Sequence, residues 1–374
     1  MSEPALTWPL SVPVLTDGEV VLRAHTSADL DAMTVMCQRP EASRYTTIPA
    51  DYTREAAEDY ALNVVPADWD AGRTRVWAVE SPHGAGPSRF AGQISLGSGR
   101  APEIGFILHP DARGRQVISN AVRLLVDWAF TEGGAEAVRW KAVVGNTASL
   151  RVAHACGFQL VAAVPSLLDH PAGVFDGWTA VLRFGEPPYP RTPWLEPVGL
   201  VGGGVRLREL RVSDAPRMAE ACADPETRHW FANLPPAPTP AVAESMVHES
   251  VWLAARGEQL SWAVADEADD RLLGYLSVAD LAHSRHTSGE LAYWTHPDAR
   301  GRGVMSAAVA LAVGHAFDPD GLGLRRLSAA AAPGNAASLR IIERAGFTPT
   351  GRVTGVEPLG DGTWSDLLEF ELLA

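Results

Sequence analysis

His109-Pro110-Asp111-Ala112-Arg113-Gly114-Arg115 recurs without change as His296-Pro297-Asp298-Ala299-Arg300-Gly301-Arg302, 187 positions later in the chain. Shorter segments on both sides recur at nearly the same interval: Leu22-Arg23 as Leu207-Arg208, Pro40-Glu41 as Pro225-Glu226, and Gly145-Asn146 as Gly334-Asn335. An interval this long indicates a duplicated domain, because the repeats of solenoid proteins span about 20–50 residues.

Length and linker composition divide the chain into two domains. The 374 residues are enough for two domains that each bury a core of their own. Prolines concentrate over residues 187–193 and Gly202-Gly203-Gly204 follows, which is typical of an interdomain linker. We predict an N-terminal domain over 1–185, a linker over 186–202 and a C-terminal domain over 203–374.

Charge and composition exclude several classes of partner. The net charge of −14 disfavours nucleic acid, because phosphates are repelled. The acidity serves solubility, with steering of an acceptor as the alternative. No apolar run reaches the roughly 20 residues of a membrane helix, and the first residues do not resemble a signal peptide. Three widely spaced cysteines (Cys37, Cys156 and Cys222) indicate free thiols, so we expect a cytoplasmic protein without a membrane partner.

Each repeat carries the same order of predicted elements. A strand precedes two helices, three apolar strand patterns and the repeated heptapeptide; a helix, a strand, a short helix and two closing strands follow. The apolar spacing of Val304, Ala308 and Leu311 is typical of one helical face. The fold class is therefore mixed α/β (α+β), with two tandem domains that each have a central mixed twisted sheet flanked by helices.

The repeated heptapeptide has the composition of an anion site. It runs from a predicted strand through arginines and glycines into a helix, and the first N–H groups of a helix lack internal partners. Glycine lets a phosphate approach the main chain because no Cβ intervenes. A glycine-rich turn alone is a weak signal, so the argument depends on the whole ordered segment Arg300-Gly301-Arg302-Gly303-Val304-Met305-Ser306.

This segment resembles the motif of the GNAT superfamily of N-acetyltransferases, Arg/Gln-x-x-Gly-x-Gly/Ala, except that Met305 stands at the last position. Asn335 to Ser338, before a helix that ends in Gly346-Phe347, resembles the branch that acetylates the N-terminal alanine of ribosomal proteins. The resemblance covers residues 205–374 closely and residues 19–184 less faithfully. It implies acetyl-CoA as the cofactor and these residues to bind it: Thr295, His296, Arg300, Gly301, Arg302, Gly303, Val304, Met305, Ser306 and Asn335.

The resemblance also implies direct attack of an amine on the thioester in a ternary complex. Three residues then become catalytic candidates: Glu290 as general base, Ser338 as the acid toward sulfur, and Asp366 as an alternative base or as a group that orients the ammonium. Backbone N–H groups near Thr295 and His296 are the expected oxyanion donors. The structural alternatives are a solvated strand carboxylate for Glu290 and a helix-start hydrogen bond for Ser338.

Aromatic residues near the first helices are candidates for acceptor binding. Trp230 and Phe231 precede a proline-rich loop and either line a pocket or belong to the core. His283 and His286 lack a third ligand nearby, so we predict no metal site. The acceptor is a primary amine on a small molecule, amino acid, antibiotic, peptide or protein N-terminus, and the protein is a monomer or homodimer.

The first repeat departs from the motif where the chemistry is most demanding. Gln116 stands in place of Gly303 and Ile118 in place of Met305, and Gly177 is aligned with Asp366. A Cβ at the closest approach to the diphosphate would crowd it. We therefore predict a catalytic second domain and a degenerate first domain. Two alternatives remain: a non-catalytic protein that binds CoA or a peptide, and an enzyme that uses another acyl-CoA.

Overall fold

A computed structural model describes the chain except residues 1–8, 10, 83–87, 233, 235–237 and 282–286. The candidate ligands His283 and His286, and part of the proline-rich loop after Phe231, therefore lie outside the described residues. The chain divides into two compact units, Met1–Arg191 and Thr192–Ala374.

The first unit alternates helices with an eight-stranded sheet. Its strands and helices, in chain order, are β1 (Leu15–Thr16), β2 (Val21–Arg23), α1 (Leu30–Cys37), α2 (Pro40–Tyr45), α3 (Arg54–Asp59), α4 (Val65–Asp70), β3 (Arg75–Pro82), β4 (Ser88–Leu96), β5 (Glu103–Leu108), α5 (Val117–Thr131), β6 (Ala137–Val143), α6 (Thr147–Ala155), β7 (Gln159–His170) and β8 (Gly173–Arg183).

The second unit repeats that order. Its strands and helices are β9 (Leu200–Gly202), β10 (Val205–Arg208), α7 (Ala215–Ala223), α8 (Pro225–Trp230), α9 (Pro240–Ala255), β11 (Leu260–Asp266), β12 (Leu272–Ala279), β13 (Ser288–Thr295), α10 (Val304–Phe317), β14 (Arg326–Ala331), α11 (Ala336–Arg344), β15 (Thr348–Pro358) and β16 (Trp364–Leu373).

The two sheets have the same strand order, β1-β2-β3-β4-β5-β6-β8-β7 and β9-β10-β11-β12-β13-β14-β16-β15. Within each sheet one neighbouring pair is parallel, β5 with β6 and β13 with β14, and the others are antiparallel. The predicted fold class, two tandem mixed sheets flanked by helices, is confirmed. The two copies of the heptapeptide follow β5 and β13, so both turns leave the sheet at the parallel pair.

The second unit begins before the predicted boundary at 203. Leu195 donates its N–H to the Ala254 carbonyl at 3.0 Å, and the Trp262 indole donates to the Val198 carbonyl at 3.0 Å. Gly203 and Gly204, with φ of 62° and 79°, form the two-residue turn of the β9–β10 hairpin. The glycine run is thus a tight turn that needs left-handed backbone, and reading it as a flexible linker was wrong.

An arginine–aspartate ion pair supports the same corner of both units. Arg208 forms two hydrogen bonds with Asp214, at 2.8 and 2.9 Å, and both side chains are buried. Arg23 holds Asp29 in the same way, at 2.7 and 2.8 Å. Each aspartate also accepts a backbone N–H three residues earlier, which closes the short turn before α1 or α7. The pair compensates the desolvation of both charges because the guanidinium and carboxylate are fully hydrogen-bonded.

The β13–β14 pair is short, and this creates the cleft of the second unit. The parallel register covers Ser288, Gly289 and Glu290 opposite Arg326, Leu327 and Ser328, after which the two strands diverge. α10 packs on this region with its buried face of Val304, Met305, Ala308, Val309, Ala312 and Ala316. The sheet is therefore open toward the carboxyl ends of β13 and β14, where α10 begins.

The described residues contain neither a membrane-spanning helix nor a cluster of metal ligands. No helix there is long and apolar enough to cross a membrane. The same part of the chain contains no group of three or more His, Cys, Asp or Glu side chains placed to hold a metal ion.

Candidate active site

The turn before α10 has the geometry of an anion site. Gly301 and Gly303 both adopt left-handed backbone, with φ of 73° and 78°. A Cβ built on Gly303 would have no atom within 4 Å, so the main chain there faces open space. In the part of the chain that the structure describes, no side chain caps the start of α10, which leaves its first N–H groups available to a ligand.

A cleft of about 900 Å³ adjoins this turn. It is lined by residues of α8, β13, the glycine turn, β14 and α11. Most of the predicted site residues line it together: Trp230, Phe231, Glu290, Thr295, Arg300, Gly301, Gly303, Val304, Met305, Ser306, Asn335 and Ser338. The cleft lining does not include His296, Arg302 or Asp366.

The donors along β13 follow from the strand register. His296 donates its backbone N–H to the Leu273 carbonyl at 2.8 Å, so the prediction that this N–H is a free oxyanion donor is wrong. N–H groups alternate in direction along an antiparallel strand. The N–H groups of Tyr293 and Thr295 therefore face the opposite edge, where β14 has diverged. These two are the backbone donors that β13 offers to the cleft.

The His296 ring is also engaged away from the cleft. Its Nδ1 lies 2.8 Å from Asp298 Oδ1 and its Nε2 lies 3.3 Å from Glu220, with the side chain buried. Arg302 lies 3.8 Å from Asp266. These contacts connect the turn to α7 and to β11, so both side chains position the turn and do not line the cleft.

Ser338 is held at the start of α11, facing a tyrosine. Its N–H donates to Asn335 Oδ1 at 3.1 Å, which is the helix-start hydrogen bond expected for this position. Its hydroxyl lies 3.0 Å from the Tyr293 hydroxyl. Burial raises the pKa of Tyr293 to about 12, so the phenol keeps its proton at neutral pH. Tyr293 lines the cleft and was missed in the sequence. The sequence shows an aromatic residue at this position in both repeats, Tyr293 in the second and Phe106 in the first, and only Tyr293 carries a hydroxyl.

Glu290 presents its carboxylate to the cleft with other acidic groups nearby. Desolvation raises its pKa above the ordinary value, and the negative charges of Asp280 and Glu369 raise it further. Glu357 also lines the cleft, and desolvation raises its pKa as well. A carboxylate with a raised pKa accepts a proton more readily than an ordinary one, which is the property a general base needs.

Asp366 has a structural environment, which argues against the prediction that it acts as a catalytic base. Arg352 forms an ion pair with it and Gly355 donates its N–H to it at 2.9 Å, which together lower its pKa. The first unit contains the same contact: Ser166, with φ of 52°, donates its N–H to Asp176 at 2.9 Å. Asp176, not Gly177, is thus the counterpart of Asp366. Both aspartates hold a bulge in the long closing hairpin.

α8 lies along the cleft and is fixed at both ends. Near its start, Arg300 bonds Asp224, Glu226 and Thr227, the latter two at 2.8 Å. Near its end, Trp230 packs against Gly334, where an added Cβ would lie 3.2 Å from the ring. The Gly360 N–H, in the β15–β16 turn, donates to the His229 carbonyl at 2.9 Å. The first residue of the phosphate motif therefore also anchors the helix that carries Trp230.

Phe231 and Met305 each have one side in the core. Phe231 lines the cleft and packs on the cluster formed by α7, α9 and β12. Met305 is 3% exposed and its methyl group packs against Gly274. The larger residue at the end of the motif is therefore accommodated inside the unit, under the glycine turn.

The first unit blocks the same features. The Trp140 indole donates to the Ser149 hydroxyl at 3.1 Å, where the second unit has Ala329 and Ser338. Lys141 forms an ion pair with Glu103 at 3.1 Å, where the second unit has Ala330 and Glu290. Gln116 takes the left-handed conformation of Gly303, with φ of 59°, and puts a side chain over the turn. In the first unit, the residues that match Glu290 and Ser338 are thus engaged by other side chains, and the residue that matches Gly303 carries a side chain.

The comparisons with known proteins agree with this fold. The chain matches the family described as Acetyltransferase (GNAT) domain twice, over residues 19–159 and 205–348. It is 30% identical to "Probable N-acetyltransferase YjcK" of Bacillus subtilis over 111 residues, which is 30% of this chain and 60% of that protein. The match thus spans less than two thirds of the curated relative.

Two solved structures illustrate the likeness. One is the ribosomal-protein-S5-alanine acetyltransferase of Vibrio fischeri, 20% identical with a TM-score of 0.43, covering 47% of this chain and 96% of that one. The other is Mycobacterium smegmatis RimJ in complex with CoA-disulfide, 23% identical with a TM-score of 0.42, covering 46% and 82%. Since the family matches both halves, the chain belongs to the GNAT acetyltransferase family, with one such domain in each unit.

Proposed function

We propose that the second unit is an acetyl-CoA-dependent N-acetyltransferase that acts on a primary amine. One observation carries the proposal: an uncapped, open glycine turn adjoins a cleft that holds Glu290 and the Tyr293–Ser338 hydroxyl pair. Acetyl-CoA supplies the activated acetyl thioester when it is bound. The N–H groups from Gly303 to Ser306 hold its diphosphate, and those of Tyr293 and Thr295 bind carbonyl oxygens in the gap between β13 and β14.

The chain's own groups manage the protons. Glu290 takes a proton from the acceptor ammonium at its carboxylate oxygen, directly or through a water. Tyr293 holds a proton at its phenolic oxygen, within reach of Ser338, for the departing sulfur. Since a thiol has a pKa of about 8.5, this protonation is not demanding. Arg300 keeps α8 in place, and Trp230 covers the acceptor end of the cleft.

The acceptor is an α-amine at the N-terminus of a peptide or protein. An α-amine, with a pKa of about 7.7–8.0, is partly neutral at pH 7, whereas a lysine near 10.4 is almost fully charged, so a carboxylate base suffices for the former. Glu290 and Glu357 line the cleft and attract a cationic terminus, whereas Glu226 is paired with Arg300. Relatives whose names specify ribosomal-protein acetylation support a peptide acceptor, and three buried free cysteines support a reducing, cytoplasmic setting.

The test is release of free thiol from acetyl-CoA with a panel of N-terminal peptides, amino acids and small amines. We expect turnover above hydrolysis with at least one α-amine. Gly303→Gln should abolish CoA binding by calorimetry and all turnover, because its Cβ and amide fill the space over the turn. Gln116→Gly is the matched control and should leave turnover nearly unchanged.

Two results would contradict the proposal. CoA binding without turnover of any amine would favour a non-catalytic binding protein. Faster thiol release with propionyl- or succinyl-CoA than with acetyl-CoA would reassign the acyl group while keeping the enzyme class.

A further inference from the structure

The first unit has a pocket next to the turn that follows β5. It encloses about 310 Å³ between α1, the adjoining ends of β3 and β4, and the turn after β5. Ser81 lines it and is only 3% exposed, and its hydroxyl has no hydrogen-bond partner among the residues that the structure describes. A buried unpaired hydroxyl is costly, so its presence on a pocket wall points to a polar ligand.

In the second unit the same place is filled by long polar side chains. Arg217, on α7, donates to the Leu272 carbonyl at 2.8 Å and to Asp298 at 3.0 Å. Glu220, one turn later, lies 3.3 Å from the His296 ring. Asp266, at the end of β11, lies 3.8 Å from Arg302.

The first unit has lost three of those side chains. Ala32 and Val35 stand where Arg217 and Glu220 stand, at the interval that relates Pro40-Glu41 to Pro225-Glu226. Ser81 stands where Asp266 stands, because the registers Leu22–Val79 and Leu207–Val264 align β3 with β11. The three lost side chains leave the pocket, since Ala32, Val35 and Ser81 all line it.

The losses also change the balance of charge. At this place in the second unit, three arginines (Arg217, Arg271 and Arg302) lie beside three acids (Glu220, Asp266 and Asp298), and Arg271 also lies 3.8 Å from Asp269. The first unit keeps two arginines and one acid of that set: Arg89, Arg115 and Asp111. Relative to that set, the first unit lacks two carboxylates but only one guanidinium. Its pocket therefore has one positive charge without a compensating acid from the set.

The pocket's remaining groups define the chemistry of its occupant. Arg89 forms no hydrogen bond or ion pair within the described residues, whereas Arg115 donates to the Pro82 carbonyl at 2.7 Å. The exposed carboxylate of Asp111 faces the other rim, beside the His109 ring. Val35 and Phe90 supply an apolar wall. A volume near 300 Å³ is at the lower end for small-molecule pockets.

We propose that this pocket of the first unit binds a small organic anion, with a carboxylate headgroup between Arg89 and Ser81 and an apolar body on Val35 and Phe90. The ligand's carboxylate replaces the negative charge that Glu220 and Asp266 supply in the second unit. The site is independent of the acetyl transfer proposed for the second unit.

The experiment titrates the full chain with benzoate, inorganic phosphate and neutral benzamide, followed by calorimetry and ligand-detected NMR. We expect saturable benzoate binding and none of benzamide. Arg89→Gln should weaken benzoate binding about tenfold or more, because it removes a charged hydrogen bond. Ala32→Arg, which restores the second unit's residue, should refill the pocket and abolish binding. Arg271→Gln is the matched control and should bind benzoate like the parent chain.

The outcomes separate this site from the glycine turn. Gly303→Gln should bind benzoate normally, since that substitution affects the second unit alone. Tighter binding of phosphate than of benzoate, lost in Arg89→Gln, keeps the anion site and reassigns its headgroup. No saturable binding of either anion, or equal binding by the parent, Arg89→Gln and Ala32→Arg proteins with unchanged thermal unfolding, overturns the proposal.

Discussion

At the scale of single residues, the two repeats differ by what touches one serine hydroxyl. Ser338 lies against the Tyr293 hydroxyl, while Ser149 accepts from the Trp140 indole. The two serines have the same asparagine cap and nearly the same sequence context, which differs at Thr147 and Ala336. The repeated serine therefore has a different environment in each unit. In the second unit, the Tyr293 phenol is a stronger candidate for proton donation than Ser338 itself.

Replacing that phenol gives the first prediction. Tyr293→Phe should lower kcat about tenfold or more with little change in the KM for acetyl-CoA, because it removes only the donor hydroxyl. Steady-state kinetics with a peptide acceptor measures this. Phe106→Tyr, the reciprocal change in the first unit, should leave kcat unchanged. A Tyr293→Phe enzyme with parental kcat would rule out the donor role.

Glu290 gives a prediction in the pH dependence. Its pKa is raised, so it becomes protonated, and unable to accept a proton, at a higher pH than an ordinary glutamate. As the pH falls, kcat/KM, which reports groups of the free enzyme, should therefore decline with an inflection above 4.5, the ordinary value. Glu290→Gln should lose this inflection and about a hundredfold of kcat/KM near neutral pH.

The acceptor's own titration is the same in both proteins, so the difference between the two pH profiles isolates Glu290. Glu357→Gln is the matched control, since Glu357 lines the same cleft with a pKa raised by desolvation. An acidic inflection that persists in Glu290→Gln, or one lost in Glu357→Gln, would reassign the base.

Residue-scale prediction from sequence succeeded where backbone chemistry was decisive. Gly303 was predicted from its place in an arginine-glycine turn, and the structure gives it left-handed backbone beside open space. The alignment of Asp366 with Gly177 was wrong because the closing hairpins are offset by one residue. The strand register shows that Asp176 is the counterpart of Asp366. Local spacing cannot reveal a bulge that long-range pairing creates.

At the scale of elements, α8 connects the cofactor side of the cleft to the acceptor side. Its start is tied to Arg300 and its end bears Trp230 against Gly334. The first unit retains this arrangement: Arg113 lies 3.7 Å from Glu41, and the Tyr45 hydroxyl donates to the Gly145 carbonyl at 3.2 Å. The helix thus has a structural role in both units, and in the second unit its last residue, Trp230, also lines the cleft.

Shortening that side chain gives the element-scale prediction. Trp230→Ala should raise the KM for a peptide acceptor about tenfold, since a loss of about 1.4 kcal/mol of apolar contact corresponds to that factor. The KM for acetyl-CoA should change far less. Tyr45→Ala removes the matching aromatic from the first unit and should leave both constants unchanged. Equal increases in the two KM values would instead indicate a general distortion of the cleft.

Elements were easier to predict than their boundaries. The order of strands and helices followed from apolar periodicity and is repeated in both sheets. The Gly202-Gly203-Gly204 run was assigned to a linker because glycine is equally common in tight hairpins and in flexible segments. Pairing between β9 and β10 decides which one forms, and that pairing depends on partners elsewhere in the chain.

At the scale of the whole molecule, the duplication preserves topology and divides the chemistry. Both units have the same strand order and the same arginine–aspartate pair. The open glycine turn and the hydroxyl pair occur in the second unit, and Gln116, Trp140 and Lys141 occupy the matching places in the first. A single catalytic centre per chain is the expected result.

Binding stoichiometry tests this expectation. Calorimetry of the full chain with CoA should give one site per chain, because the first unit's turn carries a Cβ where a diphosphate must approach. Gly303→Gln should reduce the stoichiometry to none, and Gln116→Gly should leave it at one or restore a second, weaker site. Two equivalent sites in the parent chain would contradict the assignment of roles.

The early divergence of β13 from β14 has a consequence for ligand binding. Three residue pairs join the strands, and beyond them the main chain of β13 has N–H groups that β14 no longer pairs with. We expect a ligand with amide groups to bind these N–H groups in the place of the absent strand pairing. Alanine scanning would largely overlook such a site, because it removes side chains and leaves every one of those donors intact.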